Sequence, residues 1–184
     1  MALMDLIRHR HSIRHYLEKP VEREKIKLCL EAARLAPSAS NSQPWHFVVV
    51  DEPALKNKLC DAAFSGLFSV MKFPRQAPVI VAAVGNPPGP ALRMGNIILH
   101  TNFSLIDMGI AAEHFVLQAD ELGMGACWLG LFNEEKVKRT LGIPRNRKVV
   151  ALLTLGYFDE TLAKRQHHRK KLEEISSFNS WEGK

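Results

Sequence analysis

The sequence predicts one domain of helices and strands, a mixed sheet wrapped by helices around one long buried helix. Three observations carry this. Helical and strand-like segments alternate, but the crossovers differ greatly in length, which disfavours a regular alternating ladder. No GxGxxG follows a strand, and no GxxxxGK[ST] occurs. Residues 97–122 read as the longest helix, apolar on much of their circumference and therefore central.

The other elements follow in order. Residues 3–10 read as a short helix. Residues 22–35 read as a second, with Ile26, Cys29, Leu30 and Ala33 on one face, and Pro37 closes it. Trp45–Val50 is β-branched and aromatic, hence a strand. Asp51 and Pro53 mark a helix start. Residues 78–84 form a continuous apolar run and so a buried strand. The segment from Gly85 to Pro90 is a loop. Gly123 and Gly125 end the long helix, and 126–129 is a short strand. Asn133 caps a helix over 134–141, stopped by Gly142 with Pro144 beyond. Residues 148–156 are a central strand, and the chain turns polar and basic from Asp159.

With 184 residues, 46% hydrophobic and 24% charged, the chain suits one globular domain with its own core. No apolar run is long enough to span a bilayer. Met1–Arg8 is too short and too soon charged for a secretory signal. Cys29, Cys60 and Cys127 form no CxxC pair, so reduced thiols and a cytoplasmic location are expected. The net charge of +6 gathers at the two ends. Arg8, Arg10 and Arg14 lie among His9, His11 and His15. Lys164, Arg165, Arg169, Lys170 and Lys171 lie near His167 and His168. Two short basic clusters suit one small anion, such as a phosphate, as well as a polyanion.

Four segments stand out. Arg10-His11-Ser12-Ile13-Arg14 follows the first helix. Pro37-Ser38-Ala39-Ser40-Asn41-Ser42-Gln43-Pro44-Trp45 is a loop of small polar residues, suited to close approach of backbone to a flat ligand. Gly123–Phe132 spans the short strand. Arg169-Lys170-Lys171 lies near the end. With Asp107-Met108-Gly109-Ile110-Ala111 in the long helix, these motifs resemble the nitroreductase family of FMN-dependent oxidoreductases, over nearly the whole chain.

That resemblance implies an α+β, three-layer fold with a mostly antiparallel central sheet around a long central helix. It implies a single FMN-binding domain over 1–184, with 159–184 as an arm packing on the partner of a homodimer. FMN would sit at the subunit interface. Arg10, His11, Ser12 and Arg14 would meet its phosphate and ribityl chain, joined by Arg169 and Lys171. Pro37, Ser38, Ala39, Ser40 and Asn41 would line the isoalloxazine from the partner subunit, and Trp128, Leu129, Gly130 and Leu131 would run beneath it. The resemblance further implies hydride transfer from NADH or NADPH to FMN N5, then to a nitroaromatic, quinone or similar acceptor. No catalytic side chain is expected, because the flavin carries the chemistry. No metal site is expected either.

Two departures from the family pattern are visible. Gly130-Leu131-Phe132 stands where the family has two glycines before the phenylalanine. No clear basic residue precedes Ala77-Pro78, with Lys72 the nearest candidate. Phe64, Leu67, Phe68 and Met71 recur at helical spacing, as core or dimer packing or as a lid over the flavin. Asp107 reads as hydrogen-bonded structure and Cys127 as inert packing. Two rival readings stay open: an FMN-binding carrier or sensor with little turnover, and a basic nucleic-acid-binding module. The second lacks any helix-turn-helix, RNA-binding or zinc signature.

Overall fold

The computed structural model describes residues 2–87, 89–161 and 168–181, without the side chains of Ala91, Leu92 and Asn96. Lys164, Arg165 and His167 of the second basic cluster lie outside the described residues. Among those described are α1 (Leu3–His9), α2 (Arg23–Arg34), β1 (Trp45–Val50), α3 (Pro53–Ala63) and β2 (Val79–Gly85). They are followed by α4 (Pro90–Leu99), α5 (Phe103–Glu121), β3 (Gly125–Leu129), α6 (Glu134–Leu141) and β4 (Lys148–Gly156).

The strands form one sheet in the order β1-β2-β4-β3, and every neighbouring pair is antiparallel. The fold is thus α+β. The mixed sheet expected from the crossovers is corrected to an antiparallel one. Among the described residues, parallel character enters only where Ser12 bridges Ala126, beside β3.

The apolar runs of β2 and β4 are explained by what covers them. Side chains alternate across a strand, so Val79 and Val81 face one layer while Ile80, Ala82 and Val84 face the other. The first layer is α2 and α5, with Ile26, Cys29, Ala33, Ala111, Phe115 and Ala119 in its core. The second is α3 and α6, with Leu59, Cys60, Ala63 and Val137. Helices on both faces make three layers.

Local signals set the helix ends. Glu52 caps α3 by accepting from the backbone N–H groups of Ala54 and Leu55, with Pro53 in the first turn. Asn133 Oδ1 accepts from Lys136 N at 3.0 Å and caps α6. Gly142 ends α6 at φ 66°, a left-handed conformation that glycine adopts without penalty.

Two sequence expectations need correction. The helix read over 97–122 is two helices. His100 takes φ 49°, the Thr101 hydroxyl donates to Leu99 O, and α5 begins only after Asn102. Hydrophobicity runs through the break, so periodicity does not register it. Pro90, at the first position of α4, converts the end of the expected loop into a helix. Nor do Phe64, Leu67, Phe68 and Met71 share one helix. The α3 helix ends at Ala63, and Gly66–Phe68 is a separate 3₁₀ turn. Phe64 and Met71 pack on the α3/α6 core, while Leu67 is 93% exposed.

The Arg10–Arg14 segment is seated on β3 by close packing. A Cβ on Gly125 would lie 2.3 Å from Ile13 Cγ1 and 2.9 Å from Phe158. Gly125→Ala should therefore displace Ile13 and cost about 1–3 kcal/mol by urea denaturation, as overpacked cores do. An unchanged midpoint would show that the segment yields freely.

Candidate functional site

The first part of the site is the strip from His9 to Tyr16. Ile13 is buried, and its N–H donates to Ala126 O at 3.0 Å, so the strip runs along β3 as an added edge. The alternation that buries Ile13 turns Ser12 and Arg14 the other way. Tyr16 pins the far end, its hydroxyl donating to Ile13 O at 2.8 Å and lying 2.5 Å from Thr154 Oγ1.

Cys127 lies against this strip. Burial pushes its thiol pKa up, while the charges of Arg14 and Arg10 and a hydrogen bond with Ser12 oppose the rise. A thiol so raised is packing rather than a nucleophile, as the sequence suggested. Arg10, Ser12 and Arg14 alternate with buried Ile13 and so share one side of the strip, which Ser12 joins to β3 at Ala126. The Arg14 guanidinium also lies 6.0 Å from the Phe73 ring centroid.

The near end of the strip is tied to α5. His9 Nδ1 lies 2.8 Å from Asp120 Oδ2, and Arg10 Nε lies 3.6 Å from Glu113 Oε1. Glu113 and Asp120 are seven residues apart and so share a face of α5. Asp120 sits in the last turn, where the helix dipole disfavours a carboxylate. A protonated His9 offsets that. Its hydrogen bond to Asp120 raises the His9 pKa above the usual imidazole value. His11 points its Nδ1 at His9 O, 2.8 Å away, and meets Phe158 edge-on.

The second part is the Pro37–Trp45 loop. Ala39–Asn41 forms a 3₁₀ turn, and Ser40, Asn41 and Gln43 all have φ between 44° and 53°. Non-glycine residues seldom adopt that conformation. It is held from two sides. Ser38 Oγ accepts from Gln43 N at 2.9 Å, and Asp107 Oδ1 on α5 accepts from Ala39 N at 3.1 Å.

The third part is the end of β3. Leu129 is buried, Trp128 half-buried, and Gly130 and Leu131 are exposed. A Cβ on Gly130 would meet nothing within 4 Å, so the backbone there is open to a ligand.

Arg169 and Lys171 differ from the rest. They lie on an arm, 168–181, in which every residue is exposed. Among the described residues neither side chain bonds to the Arg10–Arg14 strip. The anchors Asp107, Glu113, Asp120 and His9 were not among the expected site residues. Their signal in the sequence is acidic residues inside an otherwise apolar helix.

Comparison with known proteins decides the family. The profile of the nitroreductase family matches residues 7–70 and 68–157. The chain belongs to the nitroreductase family. It is 35% identical over 158 residues to an Archaeoglobus fulgidus protein provisionally named NADH dehydrogenase/NAD(P)H nitroreductase, covering 84% of each chain. It is 28% identical over 171 residues to a Rhodospirillum rubrum 5,6-dimethylbenzimidazole synthase, covering 83% of this chain and 80% of that one. Among solved structures, an FMN-dependent nitroreductase from Clostridium difficile superposes with a TM-score of 0.75 at 25% identity, over 97% of this chain and all (100%) of that one.

The His9–Asp120 pair makes a pH prediction. A raised folded pKa means its stabilisation is complete below the free-imidazole value of 6.5 and fades as pH rises through the folded value. The Tm advantage of wild type over His9→Gln should therefore be largest near about pH 6 and shrink towards about pH 8.5. A gap that widens with pH would contradict the pairing.

Proposed function

We propose that this nitroreductase-family protein is an FMN-dependent NAD(P)H oxidoreductase. The observation that carries the reading is that Arg10, Ser12 and Arg14 share one side of a strip bridged to β3, the strand whose end leaves Gly130 open. The donor set fits FMN. Two guanidinium groups and a hydroxyl suit a phosphate dianion and the polar ribityl chain. Half-buried Trp128 and exposed Leu131 offer apolar surface to a ring beside the open Gly130 backbone. The Ser38–Asn41 turn, with its hydroxyl and amide groups, suits the polar edge of the ring held by the partner subunit.

FMN held there supplies two-electron transfer from NADH or NADPH to a nitroaromatic, quinone or similar acceptor. The chain's own residues bind and orient. Arg10 and Arg14 neutralise the phosphate. The strained turn presents fixed donors and acceptors. The absence of a side chain at Gly130 keeps that face open to donor and acceptor in turn.

We also propose a homodimer with FMN at its interface and the arm from Asp159 onward lying on the partner subunit. Support comes from apolar surface that one chain leaves in water: Leu3, Met4 and Ile7 on α1, and Leu105 and Ile106 on α5. The arm adds Leu172, Ile175, Phe178 and Trp181, the last 96% exposed. Apolar groups gathered in this way mark an interface. Arg169 and Lys171 would then reach a phosphate site once the arm is laid down.

The purified protein should show a flavin absorbance spectrum that bleaches on anaerobic addition of NADH or NADPH. It should sediment as a dimer, and dissociation should release FMN. A colourless protein that takes up no added FMN would overturn the enzyme reading. Retained FMN that neither nicotinamide reduces would favour a carrier or sensor.

A further inference from the structure

We propose that Asp107 is a positioning residue, the buried anchor that sets the Ser38–Gln43 turn in its flavin-facing conformation. The inference rests on the FMN reading above and goes beyond it, because Asp107 itself stays away from the ligand.

Three observations meet here. Asp107 is only 4% exposed, and its Oδ1 accepts from Ala39 N at 3.1 Å. That N–H opens a turn in which Ser40, Asn41 and Gln43 are all left-handed. The other oxygen, Oδ2, is buried with no hydrogen-bond partner among the described residues, and so is Ser104 Oγ one turn earlier on α5.

Stability alone does not account for this arrangement. An unsatisfied Oδ2 in an apolar interior is unfavourable, so the carboxylate is a costly way to fill this position. What the carboxylate adds is an acceptor fixed by the most buried helix and aimed at one backbone N–H. Three non-glycine residues in left-handed conformations persist only where surrounding structure over-determines them. Asp107 and Ser38 each accept from one of the turn's backbone N–H groups, and Gln43 Nε2 braces it from within by donating to Asn41 O and Oδ1, with Asp107 the one of these groups that lies on a different element. The turn is therefore held before any ligand arrives. A ligand then does not bear the ordering cost, which is how preorganisation raises affinity.

The test uses full-length wild type, Asp107→Ala, Asp107→Asn and Val116→Ala. Val116 is a core residue of α5 that serves as a control for loss of stability. Two readouts are taken: hydrogen–deuterium exchange of the 37–45 peptide without flavin, and the Kd for FMN by fluorescence quenching. Asp107→Ala should speed exchange across 38–43 and weaken FMN binding by about tenfold, the loss expected for one buried hydrogen bond. Asp107→Asn keeps an acceptor for Ala39 N and should recover most of both. Val116→Ala should lower Tm and leave the Kd unchanged. Unchanged exchange in Asp107→Ala overturns the anchor. Faster exchange with unchanged FMN affinity overturns its positioning role. A wild type that binds no FMN overturns the functional reading, and the exchange comparison still decides the anchor.

Discussion

Helix α5 is enclosed on most sides, and the polar groups on its inward faces reach neighbouring segments of the chain. Those contacts organise much of what surrounds it. Asp107 takes the Ala39 N–H. His114 Nδ1 lies 3.3 Å from the carbonyl of Ala32, linking α5 to α2. Glu113 and Asp120 take Arg10 and His9. Nineteen residues of helix thereby fix both the basic strip beside β3 and the left-handed turn before β1. The proposed dimer uses both, the strip for the phosphate of one FMN and the turn for the ring of the FMN bound by the partner subunit.

The sheet supplies the second constraint. Because helices cover both faces, β2 and β4 are apolar at nearly every position and carry little chemistry. The proposed site lies instead at the edge, where Ser12 bridges Ala126 and β3 runs out at Gly130. Gly125 is what lets the strip come so close.

Much of the fold was legible because its signals are local. The apolar runs of β2 and β4, Pro53 at the start of α3, Asn133 before α6 and Gly142 after it each act over a few residues. The break between α4 and α5 was not legible, since Ile97, Ile98 and Leu99 continue the apolar pattern yet are exposed. Residues 64–71 misled for a related reason: helical spacing persisted across a chain that had already left the helix. In the site, the motif residues announced themselves by type and order. Asp107 reads from the sequence as hydrogen-bonded structure and is so, but its partner and those of Glu113 and Asp120 are not legible, because they lie some 70 to 110 positions away.

The central claim is that α5 holds both elements an FMN site draws on in the proposed dimer, a phosphate end at Arg10 and, lining the ring from the partner subunit, the Ser38–Gln43 turn. Comparing FMN with riboflavin, which lacks the phosphate, tests it directly. Wild type should bind FMN at least about tenfold more tightly, given charge-assisted bonds to the phosphate. Arg10→Ala should narrow that ratio, whereas Asp107→Ala should weaken both ligands alike and preserve it. Equal affinity of wild type for the two flavins, or an Asp107→Ala defect confined to FMN, would contradict the account.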